Sequence, residues 1–321
     1  MEKRQEEPLM KERSPRASLT AGFQLYMGNF RRIFKSTWLA GLITSVIAGA
    51  TGTVAFVYWP ELVSRIFSNV ATAWQYADQY RLLLIIIALL TVLSTVALAA
   101  FGGYGVALLR QHQAGGTLLP VQRHLHWEGS DMWRSVKALL FNGVLFCVSY
   151  GVVAAFAYWK RAMFLDPMHH IASLVLLALL FSIVSTVLLP TAYITTRYLF
   201  ERKTHYTVLL ITRYLTSLRF WGSQFVVLLV CFIVLGLLYL VASLPELILY
   251  EANWQARIGV VGGDPLGMPG YITLLTFVTC TLSSFMQLYI VLPLLFCLYY
   301  VYGSIDTREQ RKQENQNIPL S

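Results

Sequence analysis

Long apolar runs separated by short polar connections dominate this chain. A spanning helix needs about 20 predominantly apolar residues. Six runs meet that length, at 36–59, 82–109, 137–159, 171–199, 219–244 and 271–303. None carries Asp, Glu, Lys or His in its central part. Backbone groups surrounded by lipid must bond to one another, so each run is predicted as a helix. Short matches recur along them. "AFVYW" ends the first run at 55–59 and "AFAYW" ends the third at 155–159. "VLSTV" at 92–96, "IVSTV" at 183–187 and "LSSF" at 282–285 lie in the second, fourth and sixth runs. "PEL" at 60–62 and at 245–247 reads as the start of an outer loop. The fold class that follows is an all-α membrane protein. Its six transmembrane helices are arranged as three copies of one hairpin, each with a cytoplasmic interfacial amphipathic helix, a span outward, an outer turn and a span back.

Shorter stretches carry an apolar face at helical spacing. Leu19, Phe23, Tyr26, Met27, Phe30, Ile33 and Phe34 share one face of a helix over about 18–34, with Ser18 as its N-cap and Arg31, Arg32 and Lys35 beside it. "THYTVLLITRYLTSLRFW" places Val208, Ile211, Leu215 and Leu218 together in the same way. "SDMWRSVKALLF" is a shorter third case, and Leu62, Val63, Ile66, Phe67, Val70 and Trp74 form an outer apolar face after Pro60. Such helices lie in the plane of the interface, apolar face down, with basic residues among the headgroups.

Composition agrees with the pattern. The 321 residues are 56% hydrophobic and only 13% charged, against about 25% charged in an ordinary soluble domain. Of the 25 Lys and Arg, only Arg65, Arg81, Lys160, Arg161 and Arg257 fall on the side opposite the termini. That excess puts both termini in the cytoplasm. The formal charge of +9 is therefore a topology signal strung along membrane edges, and it argues against a nucleic-acid partner. Residues 1–16, "MEKRQEEPLMKERSPR", are charged and contain proline, and read as a disordered tail rather than a signal peptide. The membrane domain is expected over 17–304 and a cytoplasmic tail over 305–321. Cys147, Cys231, Cys280 and Cys297 all sit in apolar runs and behave as small hydrophobes.

Candidate chemistry is sparse. The returning runs carry helix breakers at similar depth: Gly102 and Gly103 in the second, Pro190 in the fourth, Pro293 in the sixth. Proline removes an intrahelical hydrogen bond and glycine loosens the backbone. Three bends toward the cytoplasm could open a site lined by Ser94, Thr95, Ser185, Thr186, Ser283, Ser284 and Gln287. Helix packing is the competing role for such small hydroxyl residues. Ionisable residues inside a span mark ion or proton pathways. Their absence here argues against a pump or a proton-driven carrier, with Arg197 the nearest exception and free to snorkel to the inner interface. His124, His126 and Glu128 in one connection, and Asp166, His169 and His170 in another, do not have metal-ligand spacing. No catalytic, cofactor or metal motif is found.

The stretch "LLPTAYITTRYLFERKTHYTVLLITRYLTSLRFWGSQFVVLL" at 188–229 combines a Leu-Pro in a span, a short charged turn, an amphipathic helix ending in an aromatic residue, and another span. With "LPLLFCLYYVYGSIDTREQRK" near the end and "LTAGFQLYMGNFRRIFKSTWLAGL" near the start, it resembles uncharacterised bacterial six-span inner-membrane families related to the membrane domain of glycerophosphoryl diester phosphodiesterase. The resemblance implies a bacterial inner-membrane module with no established activity. The expected role is non-enzymatic, membrane-organising or accessory, with membrane lipids as partners and a protein partner or second copy left open. The alternative is a transporter or flippase for an uncharged or lipid-like small molecule.

Overall fold

A computed structural model describes residues 9–68, 81–115, 129–159, 170–201, 204–263 and 269–317. Every regular element among them is an α-helix: α1 (Pro15–Gly28), α2 (Phe30–Ser68), α3 (Arg81–Gly115), α4 (Gly129–Trp159), α5 (His170–Leu188), α6 (Thr191–Phe200), α7 (Tyr206–Arg219), α8 (Trp221–Val261) and α9 (Tyr271–Asn317). Six helical stretches are long and apolar enough to cross a membrane: Phe30–Trp59, Arg81–Ala114, Asp131–Ala157, Ser173–Phe200, Trp221–Val260 and Tyr271–Asn315. The chain is thus an all-helical, multi-pass membrane protein by length and composition. The predicted runs coincide with these stretches, but most of the helices outrun them.

Two of the extensions pass through proline. The "PEL" stretches begin no loop. Pro60 lies within α2 and Pro245 within α8, which continues to Val261. A proline in a helix forfeits one hydrogen bond and strains one turn, and apolar sequence on both sides keeps the rest intact. At the N-terminus, Ser14 rather than Ser18 is the cap. Its Oγ accepts from the Ala17 N–H at 3.2 Å, and Pro15 opens the first turn. Ser18 is buried inside α1. The helix expected over 18–34 parts at Asn29, so its apolar face is shared between α1 and α2.

The chain divides into two compact units. The first takes residues up to Asn29, Val106–Val230 and the chain from Leu294 onward. Its core is aromatic, with Tyr193, Phe296, Tyr299 and Tyr300 fully buried. Residues 9–13, expected within a disordered tail, are seated against α9. The Arg13 N–H donates to Ser304 Oγ at 3.0 Å, and its guanidinium stands 4.8 Å from the Tyr300 ring centre. Residues 305–317 continue α9, with Ile305 and Asp306 buried. The second unit takes Phe30–Gly105 and Cys231–Pro293. There Tyr289 gathers Phe34, Phe101 and Phe285 within 5.7 Å between ring centres, and its hydroxyl meets Thr37 Oγ1 at 3.1 Å.

Candidate functional site

In the first unit, the break at Pro190 organises the site. α5 ends at Leu188 and α6 begins at Thr191. A helix break leaves carbonyls without amide partners, and buried carbonyls need donors. Three hydroxyls donate to carbonyls around the break, of which that of Pro190 also accepts from the Ile194 N–H at 3.5 Å. Tyr214 donates to the Val187 carbonyl at 2.8 Å, Thr191 to Leu188 at 2.6 Å, and Ser217 to Pro190 at 2.7 Å. Gln224, fully buried at the start of α8, donates to the Ser217 carbonyl and Oγ, both at 2.9 Å. α7 is thereby pinned along one side of the break. Its buried residues are Tyr206, Leu209 and Ser217, while Val208, Ile211, Leu215 and Leu218 point outward. Ile211 is 81% and Leu215 75% exposed. Among the described residues these four side chains therefore lie exposed along one side of α7.

The far end of α6 is held by charge. Arg110 donates to the Leu199 carbonyl and pairs with Asp131. Arg134 donates to the carbonyls of Tyr198 and Glu201 and stacks 4.2 Å above the Tyr198 ring. Cations at a helix C-terminus meet both the unpaired carbonyls and the negative end of the helix dipole. Within α6, Arg197 donates to the Tyr193 hydroxyl at 2.8 Å and forms ion pairs with Glu201 at 2.8 Å, Asp306 at 3.2 Å and Glu309 at 3.8 Å. Arg213 of α7 closes the network onto Glu309. Arg197 does not reach out to an interface alone, as snorkelling would have it; carboxylates of α9 meet it inside the protein. Nearby, burial pushes the Tyr206 phenol above its ordinary range, against the opposing hydrogen bonds of Thr195 and Asn142. Tyr206 is thus a neutral donor, at 3.2 Å from Asn142 Oδ1.

In the second unit, α8 and α9 meet along a polar seam. Gln287 Nε2 donates to Ser243 Oγ at 3.0 Å and to Glu246 Oε2 at 3.1 Å. Further along, Asn253 donates to Thr276 at 3.3 Å. Ser283 is buried and Ser284 half-buried on the same helix. Ser94 bonds Thr51 Oγ1 at 2.7 Å, tying α3 to α2, and Thr95 bonds back to the Thr91 carbonyl. Ser185 and Thr186 belong to the first unit, where Ser185 meets Tyr150 at 2.9 Å and Thr186 bonds back to Ser182. The seven polar residues expected on one wall are therefore divided between the units, and most serve as interhelical or local hydrogen bonds. Of the breakers, only Pro190 interrupts its helix; α3 runs on through Gly102 and Gly103, and α9 through Pro293.

Sequence reasoning missed two ionisable residues. The reading of "PEL" at 245–247 as the start of an outer loop places Glu246 outside the spans, yet it lies within α8. His112, beyond the predicted end of its run, is buried in α3, with Nδ1 3.0 Å from the Tyr299 hydroxyl. The signal available for both was helical periodicity persisting past the apparent end of an apolar run. His124, His126, Glu128, Asp166, His169, Val70 and Trp74 lie outside the described residues, as do the side chains of His170, Leu62, Val63, Ile66 and Phe67. Among the described residues no group of three His, Cys, Asp or Glu side chains could hold a metal ion.

Comparison with protein families, curated protein sequences and solved structures finds no match to this chain.

Proposed function

We propose that this chain is an integral protein of the bacterial inner membrane with both termini in the cytoplasm, and that it acts without catalysis as a membrane-organising or accessory protein. The observation that carries this reading is α7. An amphipathic helix with its apolar row exposed is stable only where something apolar covers it, and the headgroup–acyl boundary does so for interfacial helices. α7 is pinned by Tyr214, Ser217 and Arg213, so the row has a fixed orientation and the helix acts as a rigid float on the inner leaflet. Passage of an uncharged or lipid-like molecule is the second reading. It is favoured by the opening of the helix at Pro190, and weakened because protein hydroxyls already occupy the carbonyls freed there.

Depth-dependent quenching tests α7. The background is Cys147→Ala, which removes the one exposed cysteine among the described residues. Single cysteines at 211, 212 and 215 carry a fluorophore in lipid nanodiscs with quenchers on the acyl chains. Strong quenching at 211 and 215 with weak quenching at 212 is expected. Equal weak quenching at all three would remove the interfacial role. The orientation is tested separately with Met10→Cys in the same background. A membrane-impermeant thiol reagent should label it only after cells are opened, and labelling in intact cells would reverse the topology.

A further inference from the structure

α8 continues through Pro245, so Glu246 is flanked on its own helix by the exposed apolar residues Leu244, Leu247 and Ile248. Its partner Gln287 is 8% exposed and lies 16 residues into α9 from Tyr271. At 1.5 Å per residue that is about 24 Å of helix. Leu274, Val278 and Leu282 cover that distance with exposed apolar surface. A carboxyl group is thus tied to a residue inside a helical stretch long and apolar enough to cross a membrane.

The hydrogen bonding around it is directional. The Ser243 hydroxyl donates to the Tyr239 carbonyl at 2.7 Å, so its oxygen is left to accept from Gln287. The Gln287 amide therefore presents its NH2 group here, one N–H to Ser243 and the other to Glu246 Oε2. Gln287 is the sole hydrogen-bond partner of Glu246 among the described residues, and no Lys, Arg or His there lies in ion-pair reach of it. The titratable neighbours are Tyr239 on the same helix and Cys280 on α9. One neutral N–H does not replace the hydration of a carboxylate. Carboxyl groups at such depth are paired with a cation or mark a route for ions or protons. Pro245 adds a second feature. It has no N–H to offer the Val241 carbonyl four residues back, so the turn that carries Glu246 contains an acceptor lacking its helical donor. A carboxylic acid has an O–H to give; a carboxylate has none.

We propose that Glu246, Gln287 and Ser243 form a proton-binding site. The proton comes from water and forms an O–H bond at Glu246 Oε1, because Oε2 is held as acceptor by Gln287. It returns to water when that bond breaks. Gln287 donates to Oε2 in both states, so the amide frame stays in place while the charge on Glu246 changes. This site is independent of the lipid contact at α7.

Infrared difference spectra between acidic and alkaline buffer test it, on the full chain in lipid nanodiscs. The wild type should show a carboxylic-acid C=O band on the acidic side that converts to carboxylate bands on the alkaline side. Glu246→Gln should lose that component. Gln287→Leu should keep it at higher frequency, since the C=O loses its N–H donor; this second variant also decides the matter if Glu246→Gln does not fold. Identical spectra for the wild type and Glu246→Gln would overturn the proposal. So would an unshifted band in Gln287→Leu, or a band that follows sodium concentration at fixed pH instead of pH.

Discussion

Arg197→Leu should lose about 3–5 kcal/mol of stability, the scale for removing one partner of a buried ion pair. The loss will appear as a marked fall in the thermal midpoint of the detergent-solubilised protein. The side chains of Arg197 and Asp306 are each only 11% exposed, and Arg197 is the one ion-pair partner of Asp306 among the described residues. Without the guanidinium, Asp306 is left as a buried carboxylate without its ion pair, the Tyr193 hydroxyl loses a donor, and Glu309 keeps Arg213 as its ion pair and Thr216 as a hydrogen-bond donor. The cost comes from the orphaned carboxylate more than from the lost attraction. Arg197→Leu combined with Asp306→Leu should therefore recover at least half of the loss. Arg311→Ala is the control. Its pair with Glu12 is 2.9 Å long but its side chain is 65% exposed, so water and salt already screen it and the change should stay within ~1 kcal/mol. If Arg197→Leu and Arg311→Ala shift the midpoint equally, the α6–α9 network does not hold this unit together.

The six spanning helices were legible because lipid imposes one requirement on sequence, a long apolar run, and composition alone meets it. The outward face of α7 was legible for a related reason: residues 208, 211, 215 and 218 are spaced by the helix repeat, and no partner is needed to see it. The pairings were not legible. Arg197 is 109 residues from Asp306 and Gln287 is 41 from Glu246, so nothing in local periodicity links them. Pro245 misled for a physical reason. Proline most often ends a helix, yet a long helix with apolar sequence beyond it tolerates the loss of one hydrogen bond. Ending the apolar run at 244, with "PEL" as an outer loop, leaves Glu246 out of the membrane-length helix and hides its tie to Gln287. Pro190 is the opposite case. There the helix does part, because hydroxyls of α6 and α7 are in place to receive the freed carbonyls.

Glycine positions in this chain should split into two classes with opposite responses to alanine. At Gly22 in α1, a Cβ would stand 2.7 Å from Cys297 Cα and 2.8 Å from Cys297 N. Those are backbone atoms in the middle of α9 and cannot rotate away. α1 would have to lift from α9, opening the edge-on contact of Tyr26 with Phe296, now 5.4 Å between ring centres. Gly22→Ala should therefore cost about 1–3 kcal/mol, as overpacking does. At Gly102 in α3, a Cβ would meet nothing within 4 Å. Alanine there removes the entropic penalty of a helical glycine and should stabilise by about 0.5–1 kcal/mol. Thermal midpoints of the two variants, measured side by side, should move in opposite directions. A fall for Gly102→Ala would mean that the second span needs the backbone freedom of glycine at that depth, restoring the bend expected from its sequence. A rise at Gly102 with no fall at Gly22 would mean that α1 reaches its seat on α9 without the close approach that only glycine permits.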